Sequence, residues 1–147
     1  MKRTDDHGAC VDAWLGLVAG GQTPELLVEA LEAGFSAVSR RLRPIVGEAT
    51  TKAITNRVLR QAARQIPSLA FVRVGDGGLS CGGLRARAGS LPPAEIAGGV
   101  RLVLVDFLGV LGRLTSDVLT PGLHAELWKV AAALPAVEDG AREGIQA

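Results

Sequence analysis

Three arginines are spaced so that their side chains can act together on one ligand. Arg57, Arg60 and Arg64 lie at positions i, i+3 and i+7, so on a helix they project from one side. Guanidinium groups bind carboxylates and phosphates through paired hydrogen bonds. We therefore predict a surface that binds an acidic protein partner or a small anionic ligand. We assign Arg41, which lies in a basic cluster earlier in the sequence, to the same surface.

The alternative interpretation is a solvated face that pairs with carboxylates of the same chain, which is common behaviour for surface charge. The candidate partners are Glu25, Glu29, Glu32 and Glu48. Arg41 has a further candidate partner in Asp106, because one acid on an apolar helix is usually neutralised by an arginine. Sequence-specific DNA binding is not predicted, since no helix-turn-helix pattern or interleaved aromatic residue accompanies the arginines.

The glycine-rich segment from Gly75 to Gly78 follows a predicted strand, as a phosphate-binding loop would. Such a loop also needs a Lys-Ser or Lys-Thr pair with a helix behind it, whereas Leu79, Ser80 and Cys81 come next. We interpret these glycines as the turn of a β-hairpin.

The remaining residues with chemical potential are His7, Cys10, Cys81 and His124. His7 and Cys10 have a spacing that suits a metal ion, but no second ligand pair follows. An enzyme would need a cleft that joins Cys81 or Ser80 to His124. A single axial histidine in an apolar pocket can hold haem. We predict no catalytic residue, no metal ligand and no cofactor, and we keep a haem-binding or small-molecule sensor as the alternative function.

Composition favours one helical domain. The chain has 147 residues, of which 48% are hydrophobic and 3% aromatic, with no tyrosine, so the core must consist of Leu, Val, Ala and Ile. The net charge of +1 argues against binding nucleic acid through bulk electrostatic attraction. Two widely separated cysteines do not suggest a disulfide framework. We therefore expect a reducing, cytoplasmic location.

The segment from Ile96 to Leu114 is apolar on almost every side and has the helical period. Arg101, Asp106 and Arg113 interrupt it too closely for a membrane span, so we expect other helices to enclose it and no membrane partner. A strip of small and apolar residues on one side of this helix would allow close packing against another helix or a second copy of the chain. This strip comprises Leu102, Val105, Gly109 and Gly112, with Gly98 at its start. We favour a homodimer.

Local signals place the other elements around this helix. A short helix from Ala9 to Val18 lies in an N-terminal arm, Thr23 and Pro24 begin a helix that should kink or end between Arg43 and Gly47, and a second helix covers Glu48 to Gln65. After the hairpin, Gly82 to Ser90 is predicted as a loop. The central helix begins at Pro92 to Glu95 and closes at Gly112, and a fourth helix runs from Thr115 to Leu134.

These elements predict a mainly α fold with one small β-hairpin insert. The predicted arm is 1–22, the helical domain 23–135 (23–67, 68–91 and 92–135), and the flexible tail 136–147. Shifting the chain by 65 residues aligns IVGEATTKAIT with VLGRLTSDVLT, so two helical hairpins would pack as pseudo-twofold repeats into a four-helix core. The alternative is that any two amphipathic helices can be aligned in this way.

The segment SRRLRPIVGEATTKAITNRVLRQAARQIP resembles helical accessory modules of multi-domain bacterial signalling and regulatory proteins, in which an apolar helix, an Ile/Val-Gly joint and an Arg-bearing helix recur. The resemblance covers about a fifth of the chain and transfers no site residue. It implies a signalling role. We therefore predict a non-enzymatic regulatory or protein-interaction module, homodimeric, of a bacterial signalling system.

Overall fold

The computed structural model describes residues 7–18, 23–75 and 78–133, which form a helical bundle. The α-helices of these residues are α1 (His7–Val18), α2 (Pro24–Val46), α3 (Glu48–Gln65), α4 (Gly82–Arg87), α5 (Pro93–Thr115) and α6 (Thr120–Ala133). Strands β1 (Arg73–Gly75) and β2 (Gly78–Ser80) pair antiparallel, and 3₁₀ turns cover Pro67–Phe71 and Ala88–Ser90. The predicted fold class, mainly α with a small β-hairpin insert, is confirmed.

The bend between α2 and α3 follows from local sequence. The Thr23 hydroxyl accepts a hydrogen bond from the Leu26 N–H at 3.2 Å and caps α2, as expected for a threonine before a first-turn proline. Pro44 lies within the last turn, and the helix ends at Val46. Gly47 has a φ of 92°, a conformation that favours glycine. The predicted end near Gly47 and the bounds of α3 are confirmed.

The core lies where α5 packs against α1, α2 and α3. The Phe35 and Phe107 rings stack with their centroids 4.0 Å apart, and both side chains are fully buried. Val103, Leu104 and Leu111 of α5 are also 0% exposed. Helices therefore cover most of the apolar helix, as predicted, although Leu114 is 59% exposed. No helix in the described part of the chain combines the length and apolar character needed to cross a membrane.

The predicted end of α5 at Gly112 is wrong. The helix continues to Thr115, and the chain reverses through Ser116 and Asp117, whose φ angles are 50° and 63°. Gly112 serves packing instead: a Cβ there would lie 2.6 Å from Asp117 Oδ1 and 3.1 Å from His7 Nε2. The following helix accordingly begins at Thr120 rather than Thr115.

The predicted loop from Gly82 to Ser90 is also wrong, because it forms α4 and a 3₁₀ turn. Leu84 and Ala88 on this segment are buried. Arg85 forms ion pairs with Glu32 and Glu29 of α2. Contacts with the rest of the bundle therefore stabilise a glycine-rich helix that local propensity does not favour.

The helix of the predicted N-terminal arm contributes to the core. Val11 and Trp14 are 0% exposed, and α1 packs on α5 and α6. A Cβ at Gly34 of α2 would lie 3.2 Å from the Trp14 ring, so this glycine gives the indole its space. The division into domains stays a prediction, and the predicted tail, 136–147, lies outside the described residues.

The two aligned segments have different joints. Gly47 lies between α2 and α3, whereas the aligned Gly112 lies inside α5, and the second bend occupies 116–119. The shared Gly and Thr spacing therefore does not correspond to equivalent bends. The internal repeat stays a prediction.

Candidate anion-binding surface

The three spaced arginines form a row on the outer side of α3, which we call the arginine face (Arg57, Arg60 and Arg64). All three are exposed. The helical period places them away from the buried Ile54, Val58 and Ala62. Within the described ranges, no carboxylate lies within ion-pairing distance of any of the three guanidinium groups. The arginine face is therefore positioned to meet an external anion.

The acids expected to neutralise these arginines contact other groups. Glu29 and Glu32 pair with Arg85. Glu48 Oε2 lies 3.8 Å from Lys52 Nζ. Glu25 lies near Gly89, where a Cβ would be 3.5 Å from its Oε2. Self-neutralisation by these four carboxylates is therefore not the arrangement found.

A groove of about 780 Å³ runs along α3 beside the arginine face, which it shares at Arg60. Its other wall is the segment that folds back from the 3₁₀ turn into β1. We call it the α3–β1 groove. Its polar lining residues are Lys52, Asn56, Arg60 and Arg73, and its main apolar lining residues are Leu59, Leu69 and Val72. No carboxylate from the described residues lines it. Cationic groups above an apolar floor suit an anion that also carries apolar groups.

Three polar groove residues, Lys52, Asn56 and Arg73, were not predicted from the sequence, whereas Arg60 was. Lys52, Asn56 and Arg60 follow one another at steps of four, which is a signal that a helical projection of α3 could have revealed. Arg73 has no such signal. It reaches the groove because the chain turns back after Pro67 and β1 packs on α3.

Arg41 does not join the arginine face. Its Nη1 lies 3.2 Å from Glu126 Oε2 of α6, and its guanidinium lies against Gly122. The expected pairing of Arg41 with Asp106 is wrong. Burial raises the pKa of the Asp106 carboxyl. The positive charge of Arg113, on the same helix, partly lowers it.

The predicted packing strip divides into two parts. Leu102, Val105 and Gly109 are half-buried on α5. Of the described residues, only Arg113, with Nη1 at 3.7 Å, would lie near a Cβ at Gly109. Gly112 is buried against Asp117 and His7. The first three therefore remain available for a close helix contact, whereas Gly112 serves the bundle itself.

The two histidines contact each other across the bundle. His7 Nδ1 of α1 lies 3.0 Å from His124 Nε2 of α6, with the rings edge to face. Cys81 is buried beside α2, where its backbone N–H donates to Glu32 Oε2 at 2.8 Å. Burial, and secondarily Glu32, raise the pKa of the Cys81 thiol to about 12, although Arg85 lowers it in part. Among the described residues, no group of three His, Cys, Asp or Glu side chains is placed to hold a metal ion.

Comparison of the chain with protein-family models, with curated proteins and with solved structures gives no match. The function must therefore be argued from the arginine face and the groove beside it.

Proposed function

We propose that this protein is a non-enzymatic interaction module that binds an acidic partner protein through the arginine face. The observation that carries the proposal is the row of three exposed guanidinium groups that meet no carboxylate within the described residues. Exposed charges that meet no opposite charge of their own chain can pair with complementary charges of another protein. Here Glu29, Glu32 and Glu48 pair with Arg85 and Lys52 instead, which leaves the arginine face available for a carboxylate-bearing surface.

The spacing suits several carboxylates rather than one. Arg57 and Arg64 are seven residues apart, about 10 Å along the axis at about 1.5 Å per residue. Each exposed ion pair contributes only about 0.2–1 kcal/mol, so useful affinity needs several pairs together with apolar contact. Complementary charge also speeds association and fixes orientation. These properties suit reversible binding in regulation.

The proposal has three finer parts. The resemblance of residues 39–67 to accessory modules supports a role in a bacterial signalling system. Cys10 and Cys81 are not joined in a disulfide, which supports a reducing, cytoplasmic location. The half-buried strip of Leu102, Val105 and Gly109 supports a homodimer in which α5 packs against its copy.

The arginine face is tested with a fluorescein-labelled decapeptide of alternating Glu and Leu. Fluorescence anisotropy should detect binding to the wild type and a loss of about tenfold or more, equivalent to about 1.4 kcal/mol, in the triple variant R57E/R60E/R64E. The far-ultraviolet circular dichroism should not change, because the three side chains are exposed.

The matched control compares two single charge reversals at exposed positions outside the groove, Arg64→Glu on the arginine face and Arg40→Glu on α2. Arg40→Glu should reduce binding much less than Arg64→Glu. Equal losses in these two variants, or no binding by the wild type, would overturn the proposal.

The dimer is tested by sedimentation equilibrium. A Gly109→Arg substitution adds bulk and charge to the strip, so it should shift a wild-type dimer to monomer. A monomeric wild type at concentrations up to about 100 μM, a Kd equivalent to about 5.5 kcal/mol, would refute the homodimer and leave the arginine face untouched.

A further inference from the structure

The α3–β1 groove has the length of a short extended peptide. Its lining residues on α3 run from Lys52 to Ala63, about 16 Å along the axis at about 1.5 Å per residue. An extended chain rises about 3.3 Å per residue, so about five residues would span this distance. A single phosphate or free amino acid would contact one part of the groove only.

The cations are distributed along this length rather than gathered at one point. Lys52 lies at one end and Arg60 eight residues further along α3, while Arg73 projects from the opposite wall. Arg60 and Arg73 meet no carboxylate among the described residues, and Lys52 Nζ lies 3.8 Å from Glu48 Oε2. Acidic side chains at several positions of one peptide would complement this distribution.

The floor between these cations is apolar. Leu59, Leu69 and Val72 line it and are 7%, 3% and 6% exposed. The amide of Asn56 can donate and accept hydrogen bonds beside them. An extended peptide directs successive side chains to opposite sides, so alternating acidic and apolar residues would fit rim and floor at once.

β1 meets the groove at its edge. Consecutive strand residues point to opposite faces, and both Arg73 and Val74 line the groove. The register pairs Gly75 with Gly78, which two residues separate in sequence, and Val74 with Leu79. In such a hairpin the pair next to the turn is hydrogen-bonded and the following pair is not. The N–H and C=O of Val74 therefore point away from β2, toward the edge that has no neighbouring strand in this sheet.

We propose that the α3–β1 groove binds an extended segment of a partner protein with alternating acidic and apolar residues, which adds as a strand to the edge of β1. Its carboxylates pair with Arg60 and Arg73, its apolar side chains lie on Leu59 and Leu69, and its backbone bonds to Val74. The inference rests on the proposed function and names the form in which the acidic partner is bound. Strand addition supplies affinity through the backbone, and the groove supplies specificity.

The test uses the full chain and the same alternating Glu and Leu decapeptide. Arg73→Glu should weaken binding by about tenfold, equivalent to about 1.4 kcal/mol, whereas the matched control Arg40→Glu, exposed on α2 and outside the groove, should not. Two further peptides carry N-methyl groups on alternate backbone amides, in one register or the other. Strand addition predicts that only one of the two methylated peptides loses binding, because alternate amides of an edge strand bond to the neighbour.

The outcomes separate this inference from the proposed function. One outcome is that R57E/R64E abolishes binding, while Arg73→Glu binds like the wild type and both methylated peptides bind like the unmethylated one. The groove inference then fails and the arginine face stands. If none of the variants weakens binding, both fail. Competition by inorganic phosphate or single-stranded DNA at lower concentration than the peptide would also overturn the inference, since it would assign the groove to a phosphate-bearing ligand.

Discussion

At the scale of single residues, Cys81 is a thiol that folding makes unreactive. Burial raises its pKa to about 12, against about 8.5 for an unperturbed cysteine, so its thiolate is about one part in 10,000 at pH 8. In a Cys10→Ser variant, iodoacetamide should alkylate Cys81 at least about 100-fold faster in urea than in the folded state. Mass spectrometry against time measures both rates. Similar rates in the two states would contradict the burial of this thiol.

Asp106 carries a cost that depends on pH. Burial raises the pKa of its carboxyl in the folded chain, and Arg113 offsets this in part. The unfolded carboxyl titrates near pH 3.9, so the unfolded chain ionises it first as pH rises, and stability falls between that pH and the raised pKa. Asp106→Asn should therefore raise Tm at pH 7, with a gain that disappears below about pH 3.9.

Arg113 provides the control for this effect. Arg113→Ala should lower Tm at pH 7 in the wild type, because it leaves the Asp106 carboxylate without its cation, and should have little effect in the Asp106→Asn background. Thermal unfolding at several pH values measures all four proteins. A gain from Asp106→Asn that persists at pH 3 would mean that side-chain shape rather than ionisation is responsible.

At the scale of elements, alanine substitutions at Gly34 and Gly16 separate the effect of side-chain packing on stability from that of helix propensity. A Cβ at Gly34 would lie 3.1 Å from Leu127 Cδ2 and 3.2 Å from the Trp14 ring, so Gly34→Ala should destabilise by about 1–3 kcal/mol through overpacking. Among the described residues, nothing lies within 4 Å of a Cβ placed on Gly16 of α1. Gly16→Ala should therefore stabilise by about 0.5–1 kcal/mol. Urea unfolding measures both, and a stabilising Gly34→Ala would show that α1 does not pack there.

The elements that sequence predicts well are those with local signals. Thr23 with Pro24, and Gly47 at a positive φ, define the ends of α2 and α3 through their own chemistry. By contrast, α4 depends on Leu84 and on the pairing of Arg85 with Glu32, which no local pattern reveals. The packing at Gly112 is also partly non-local, because a Cβ there would lie 3.1 Å from Nε2 of His7, a residue distant in sequence.

At the scale of the whole molecule, folding separates the charges. The chain is nearly neutral, at +1, yet its acids pair with basic residues away from the arginine face: Asp12 with Arg101, and Glu126 with Arg41. The helical spacing alone predicted that Arg57, Arg60 and Arg64 share a side. The groove could not be predicted, because Arg73 comes from another element that tertiary packing brings to α3.

At this scale, the buried side chains of α1 also contribute to the stability of the bundle. Trp14 and Val11 are fully buried, and a large buried side chain contributes about 3–5 kcal/mol to a total of about 5–15 kcal/mol. Removal of residues 1–18 should therefore abolish cooperative unfolding in urea. Leu17→Ser, at a position 61% exposed, is the control and should leave unfolding almost unchanged. If the shortened chain still unfolds cooperatively, the N-terminal segment is a dispensable arm. If cooperativity is lost, α1 belongs to the core of the bundle.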